Sequence, residues 1–213
     1  MSMRFVISSS ALIALSACGG GAGGPGIGDG DATFDELVAD QGNFALLEAL
    51  GKTGILPGAG TATYGGSMLI AEDLYNTGAG FRTMVDGTLF NDPDGFSTTG
   101  YIGEASITAD FGTGDVDGTV TNFYGANIDG VTGALTSSAG ATAPTDMITL
   151  DGTAATPHFV ATAAGTVDTL AVGGVIAMGF YGPGAFGVLG ESTPVNRMTL
   201  GGVDVDARLT ARQ

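Results

Sequence analysis

Among 213 residues the chain contains no tryptophan, one cysteine (Cys18), one histidine (His158) and one lysine (Lys52). Each scarcity removes a class of function. A single histidine and a single cysteine cannot assemble the usual zinc ligand sets, and no acid, base and nucleophile stand out as a catalytic group. Basic residues are few: 6 Lys and Arg face 22 Asp and Glu, for a net charge of −16. Nucleic acid is disfavoured as a partner, because binding it depends on neutralising phosphates with Lys and Arg. The lack of Trp and the presence of five Tyr argue against a membrane barrel, which carries girdles of such residues at both interfaces. Arg212-Gln213 also differs from the terminal aromatic that outer-membrane barrels carry. Glycine is abundant, at 39 residues, but the glycines are not read as a phosphate-binding loop.

The longest apolar run lies at the N-terminus, where Arg4 precedes Phe5, Val6, Ile7 and then Ala11 to Leu15. It falls well short of the roughly 20 residues that span a bilayer, so it reads as a signal peptide over residues 1–17. Leu15-Ser16-Ala17-Cys18 matches the lipobox of bacterial lipoproteins, in which small residues precede a cysteine that receives diacylglycerol. Lipidation at Cys18 also removes the reactive thiol that a lone cysteine would leave in an exported protein. Acyl chains contribute roughly 0.8 kcal/mol per buried methylene, enough for a multiply acylated terminus to stay in the membrane. Gly19 and Gly20 lack the inner-membrane retention aspartate, which favours the outer membrane. Without residues 1–17 the balance is 5 basic against 22 acidic residues, or −17, an acidic coat that favours solubility.

Residues 18–32 are mostly glycine with Asp29 and Asp31, a composition that cannot bury enough apolar surface to offset ordering, so they form a flexible tether. A short helical segment follows over residues 33–57. Thr33 is its N-cap with Glu36 three residues on, and Gly42 divides it into two short pieces. From residue 58 to 213 threonine, glycine and aspartate punctuate short apolar runs, the spacing of an all-β domain. In Tyr101 to Phe111 one face carries Tyr101, Gly103, Ala105, Ile107 and Ala109; the other carries Ile102, Glu104, Ser106 and Thr108. Val203, Val205, Ala207 and Leu209 likewise alternate with Asp204, Asp206, Arg208 and Thr210. Such period-two patterns mark strands with one buried and one wet face. Gly112-Thr113-Gly114-Asp115 supplies a tight hairpin turn. Further strands are expected at Thr61–Ala71, Thr83–Leu89, Asp117–Phe123, Met147–Leu150, His158–Ala163, Val175–Tyr181 and Phe186–Leu189. Together they suffice for a small closed barrel without exposed edges.

Three segments carry a family resemblance. Gly103-Glu104-Ala105-Ser106-Ile107-Thr108-Ala109-Asp110-Phe111-Gly112 with Asp115-Val116-Asp117-Gly118-Thr119-Val120 resembles the central hairpin of the barrel lobes of transferrin-binding protein B. Gly179-Phe180-Tyr181-Gly182-Pro183 is similar to that family's Phe-Tyr-Gly-Pro segment, and Gly60-Thr61-Ala62-Thr63-Tyr64-Gly65-Gly66 to the strand that opens the barrel. The resemblance implies an all-β fold: a single eight-stranded antiparallel soluble β-barrel on a surface lipoprotein that captures a host protein, haem or another iron source. It covers about residues 59–213. The handle domain and second lobe of that family have no counterpart, so transferrin itself is not expected as the ligand.

His158 is the one candidate ligand-binding side chain, as an axial ligand to haem if such a group is bound; the blander reading is a strand-end histidine after Pro157. No other cofactor and no metal is expected. Asp29, Asp31, Thr33 and Asp35 alternate as calcium ligands do, but Phe34 stands where the loop needs glycine and Asp40 replaces the final Glu. Asn91-Asp92-Pro93-Asp94-Gly95 reads as a turn. Phe180 and Tyr181 are expected to pack in the barrel rather than form a recognition patch. Two functions remain: a membrane-anchored module binding a protein or haem-type ligand, or a coat lipoprotein without a specific ligand. Enzymatic activity is not expected.

Overall fold

The computed structural model describes residues 31–72, 74, 98–129, 134–193 and 195–213. The signal peptide, Cys18, most of the tether, the expected strand at Thr83–Leu89 and the turn at Asn91–Gly95 lie outside the described residues.

Two helices, α1 (Phe34–Gln41) and α2 (Asn43–Leu50), precede ten strands. The strands are β1 (Thr61–Ala71), β2 (Thr98–Asp110), β3 (Asp115–Ile128), β4 (Leu135–Ala141) and β5 (Met147–Thr153), followed by β6 (His158–Val167), β7 (Leu170–Tyr181), β8 (Gly187–Glu191), β9 (Met198–Leu200) and β10 (Val203–Arg212). All pair antiparallel. β1 meets β2 from Thr61↔Asp110 to Ala71↔Gly100 and meets β10 from Gly65↔Arg212 to Ala71↔Asp206, which closes the sheet into a ring.

The ring has eight positions, as expected, and two of them are interrupted. β3 pairs β5 over its first half and β4 over its second. β7 and β10 each pair β8 at one end and β9 at the other. β4 and β9 are the strands that the sequence pattern missed. At the β2–β3 hairpin, Gly114 adopts φ 87° and its N–H donates to the Asp110 carbonyl at 2.7 Å. Further along this pair the register shifts between Ile102 and Glu104, where Asn122 takes φ 50° and a bulge re-aims the strand. Phe123 then turns its ring over Gly103, where an added Cβ would come within 2.6 Å of the ring carbons.

The alternation sends the apolar face inward. Tyr64, Met68, Ile107, Val120, Ile148, Ile176 and Leu209 are among the buried residues of the lumen, each large one contributing about 1.5–3 kcal/mol on burial. One end is plugged by aromatics: the Phe180 ring lies 5.9 Å from Tyr64, 5.4 Å from Phe111 and 5.5 Å from Phe159, centroid to centroid. The Tyr64 hydroxyl donates to the Ala185 carbonyl at 2.8 Å, and burial pushes its pKa up to about 12.

The helices cover part of the outer wall. Thr33 and Glu36 form the expected capping box, with Thr33 N–H donating to Glu36 Oε2 at 2.8 Å; these bonds hold the Glu36 carboxyl below its usual value. Ala32 is already fixed, its N–H donating to Glu104 Oε2 and its carbonyl accepting from Asn122 Nδ2. Leu37 packs on the outward faces of Leu69, Ile102 and Ala126, and Phe44 and Leu47 pack on Leu189. Gln41 Nε2 donates to both the carbonyl and the hydroxyl of Ser67 at 3.0 Å. This cover corrects one expectation. Arg208 and Thr210, assigned by alternation to a wet face, are 1% and 0% exposed because α1 and α2 lie over them.

Candidate functional site: the open end of the barrel

Opposite the aromatic plug, the described residues leave a cup of about 550 Å³, lined by residues from the end of β1, the start of β2, β3, β4, the β6–β7 turn, β7, β9 and β10. Tyr101 and Val205 belong to the top of the lumen core, Leu170 and Leu200 form an apolar wall, and the short side chains of Ala139 and Ala141 stand in β4. Thr98, Thr99, Ser138 and Thr142 add hydroxyls, so the lining is mixed, polar and apolar in about equal measure, and it includes two acids.

The acids are Glu72 and Asp168. Asp168 and Thr169 link β6 to β7 with φ of 48° and 68°, the left-handed pair of a two-residue hairpin turn that Asp tolerates. The Asp168 N–H donates to Oδ2 of Asp146 at 3.0 Å, and Asp146 is itself buried. The Tyr101 hydroxyl donates to Asp168 Oδ2 at 2.9 Å. Burial, then Asp168 and Asp146, raise the Tyr101 pKa, so the phenol keeps its proton and stays a donor. No basic residue is among the described residues lining the cup.

His158 stands elsewhere. It opens β6 opposite Gly179, exposed on the outer wall, whereas Asp168 follows the other end of the same strand. At ~3.3 Å per residue, β6 sets the two about 30 Å apart. The His158 ring meets Tyr181 edge-on at 6.5 Å between centroids. Partial burial, then Lys52, lower its pKa, leaving a neutral imidazole able to ligate a metal centre. Its shallow groove holds about 170 Å³ between Lys52, Tyr181 and Glu191, less than the ~300 Å³ at which small-molecule pockets begin. Lys52 bridges to Tyr181. Gly51-Lys52-Thr53 does form a Gly-Lys-Thr triplet, but Gly51 is the C-cap of α2, so the triplet ends a helix instead of starting one as a phosphate loop does.

The remaining candidates fall to structural roles. Phe180 is buried in the plug and Tyr181 packs outside it against the Phe44 cluster, so both serve packing, as expected. Thr33 is used as a cap. Sequence reasoning did not identify the residues that line the cup, because they come from strand ends and turns far apart in the chain; Tyr101, the first residue of an alternating run, was the one available signal.

The class that these features define is an all-β closed antiparallel barrel with a helical flank, one end plugged and, among the described residues, a cup at the other. No family model matches the chain, and no curated protein does. Among solved structures it is similar to the N-lobe domain of lactoferrin binding protein B of Moraxella bovis, with 16% identity and a TM-score of 0.40 over 75% of this chain and 61% of that one. The chain therefore spans less than two thirds of the length of that neighbour. Among the described residues, no helix is long and apolar enough to cross a membrane.

Proposed function

We propose that this protein is a lipid-anchored binding module of the outer membrane, acylated at Cys18 and exposed at the cell surface, that holds a protein or small ligand at the open end of its barrel and catalyses no reaction. The observation that supports it is the contrast within the lumen: side chains and aromatics fill one end, while the described residues leave about 550 Å³ at the other. Concave, partly apolar sites with a few fixed polar groups are where ligands bind. The lipobox and the glycine-rich residues 18–32 supply the anchor and the tether for such a module. Haem remains one candidate ligand, through His158 on the outer wall.

Mass spectrometry of the mature N-terminus and protease shaving of intact cells test the anchor and its exposure. Diacylglycerol on Cys18 and loss of the barrel on shaving are expected; an unmodified terminus sinks the anchored reading. Haem titration followed at the Soret band, with His158→Ala in parallel, tests the haem version. An unchanged spectrum at high micromolar concentration removes it.

A further inference from the structure

We infer that the plugged end of the barrel rests on a lipid bilayer through Leu46 and Leu50 of α2 and Ile55 just beyond it, with the opposite end turned to solvent. This rests on the reading that Cys18 carries the anchor. Three observations carry it. The first is an apolar face with a fixed place. Leu46 and Leu50 lie one helical turn apart and are both exposed, while Phe44 and Leu47 take the side turned to the barrel. Ile55 is 88% exposed. The stretch between them is pinned to the plugged end, where Thr53 N–H donates to the Phe180 carbonyl at 2.9 Å and Gly182 N–H to the Gly51 carbonyl at 2.8 Å. The second is charge. From 46 to 55 the charged residues are Glu48 and Lys52, which cancel, in a chain of net charge −16. Leu170 and Val203 are exposed at the other end, but each stands within two residues of an exposed acid, Asp168 or Asp204. A carboxylate is costly to carry into the partly dry headgroup boundary.

The third is reach. Ala32, fixed to Glu104 and Asn122, follows Cys18 by 14 positions. At ~3.6 Å per residue that chain measures at most about 50 Å when fully extended, so an acylated Cys18 holds the described domain within that distance of the bilayer. A second, weak contact with the same bilayer is then intramolecular, and a few apolar side chains suffice where they would not from free solution. A second copy of the chain fits the face less well. Three side chains offer well under the roughly 800 Å² that each partner buries in a stable protein interface.

The test reads position by fluorescence in the acylated protein on phosphatidylcholine vesicles. An environment-sensitive label is attached through Ile55→Cys or, as the control at the other end, Val203→Cys; the diacylglycerol thioether leaves Cys18 unlabelled. A nitroxide carried high on the lipid acyl chains is expected to quench the label at 55 by about twofold or more and to leave the label at 203 unchanged. Leu46→Ser with Leu50→Ser, both at exposed positions, is expected to remove about half of that quenching or more while Cys18 keeps the chain on the vesicles. No quenching at 55, or equal quenching at 55 and 203, in a chain that mass spectrometry shows to be acylated overturns the bilayer face and leaves the anchor standing. Self-quenching at 55 with rising protein concentration, without quenching by the lipid nitroxide, gives the face to a second copy and overturns the inference likewise. If Cys18 is found unmodified, the labels are read in a Cys18→Ser chain added to excess vesicles. Quenching at 55 alone then keeps the face without the anchor, and its absence removes the face as well.

Discussion

The guanidinium carbon of Arg208 lies 3.4 Å from the ring centroid of Phe44, so the face of an α2 aromatic covers a cation that the barrel wall has taken out of water. Phe44 is 2% exposed and Arg208 1%. Stacking of this kind contributes most where both partners are desolvated, and it joins the helical flank to the last strand.

Phe44→Leu is therefore expected to destabilise the fold by about 2 kcal/mol, from lost burial and from a cation left without its platform. Leu46→Ala, two residues on but 48% exposed, should stay within about 0.5 kcal/mol. Urea denaturation of the two variants checks the contrast, and equal midpoints would show that the stacked pair contributes nothing.

Asp40 sits in the last turn of α1, 7% exposed. Burial raises its pKa to about 6; Arg212 opposes the shift, and Glu104 and Glu36 add to it. The folded state holds this proton more tightly than the unfolded chain, whose value is 3.8. The resulting stabilisation is complete below about pH 4 and disappears as pH rises through 6. A negative charge near a helix C-terminus is unfavourable as well. Asp40→Asn should thus raise stability at pH 7.5 by on the order of 1 kcal/mol after solvent screening, with the gain absent at pH 4. Thermal melts across that range measure it, and a gain independent of pH would contradict the assignment.

Gly66 allows β1 to lie close against β10: a Cβ there would stand 2.0 Å from the Thr210 carbonyl oxygen and 2.7 Å from the Ala211 Cα. The obstacle is backbone, so the strands must part where the ring closes. Gly66→Ala is expected to cost about 3 kcal/mol. Gly54→Ala, with nothing within 4 Å, is the control and should melt as the parent does.

Tyr64→Phe removes the hydroxyl that donates to Ala185 and accepts from Gln213 Nε2 at 3.4 Å. Gln213 still reaches the Ala185 carbonyl at 3.2 Å, so the loss should be about 1 kcal/mol, that of one net hydrogen bond. Chemical denaturation reads it; a loss several times larger would mean that the plugged end unravels without the phenol.

What the sequence revealed depended on where each pattern originates. Alternation in Tyr101–Phe111 and Val205–Leu209 was legible because one side of each strand fills the lumen, whereas Val203, expected on the same face, is 51% exposed where the strand begins; the α1 start was legible because Thr33 and Glu36 encode their own hydrogen bonds. The burial of Arg208 and Thr210 was not, since it is imposed by helices about 160 residues earlier in the chain. β4 left no signal either: Leu135–Ala141 has no apolar alternation, and after Leu135 every residue is exposed. Backbone pairing with β3 places it in the barrel. The acidic rim escaped notice for a related reason, as Glu72 and Asp168 are 96 positions apart and look like ordinary surface charges until the ring joins their strand ends.

Because β10 seals the gap between β1 and β8, the order in which the chain is made bears on when it can mature. Strands one to nine can zip to their neighbours as they emerge, but the first stave has to wait for a partner that is synthesised last. Until then its edge and the greasy interior stay unsealed, and loop closure over nearly the whole domain makes such pairing slow. A barrel that can close only once its tenth strand has arrived stays pliable until then and stiffens in a single late step.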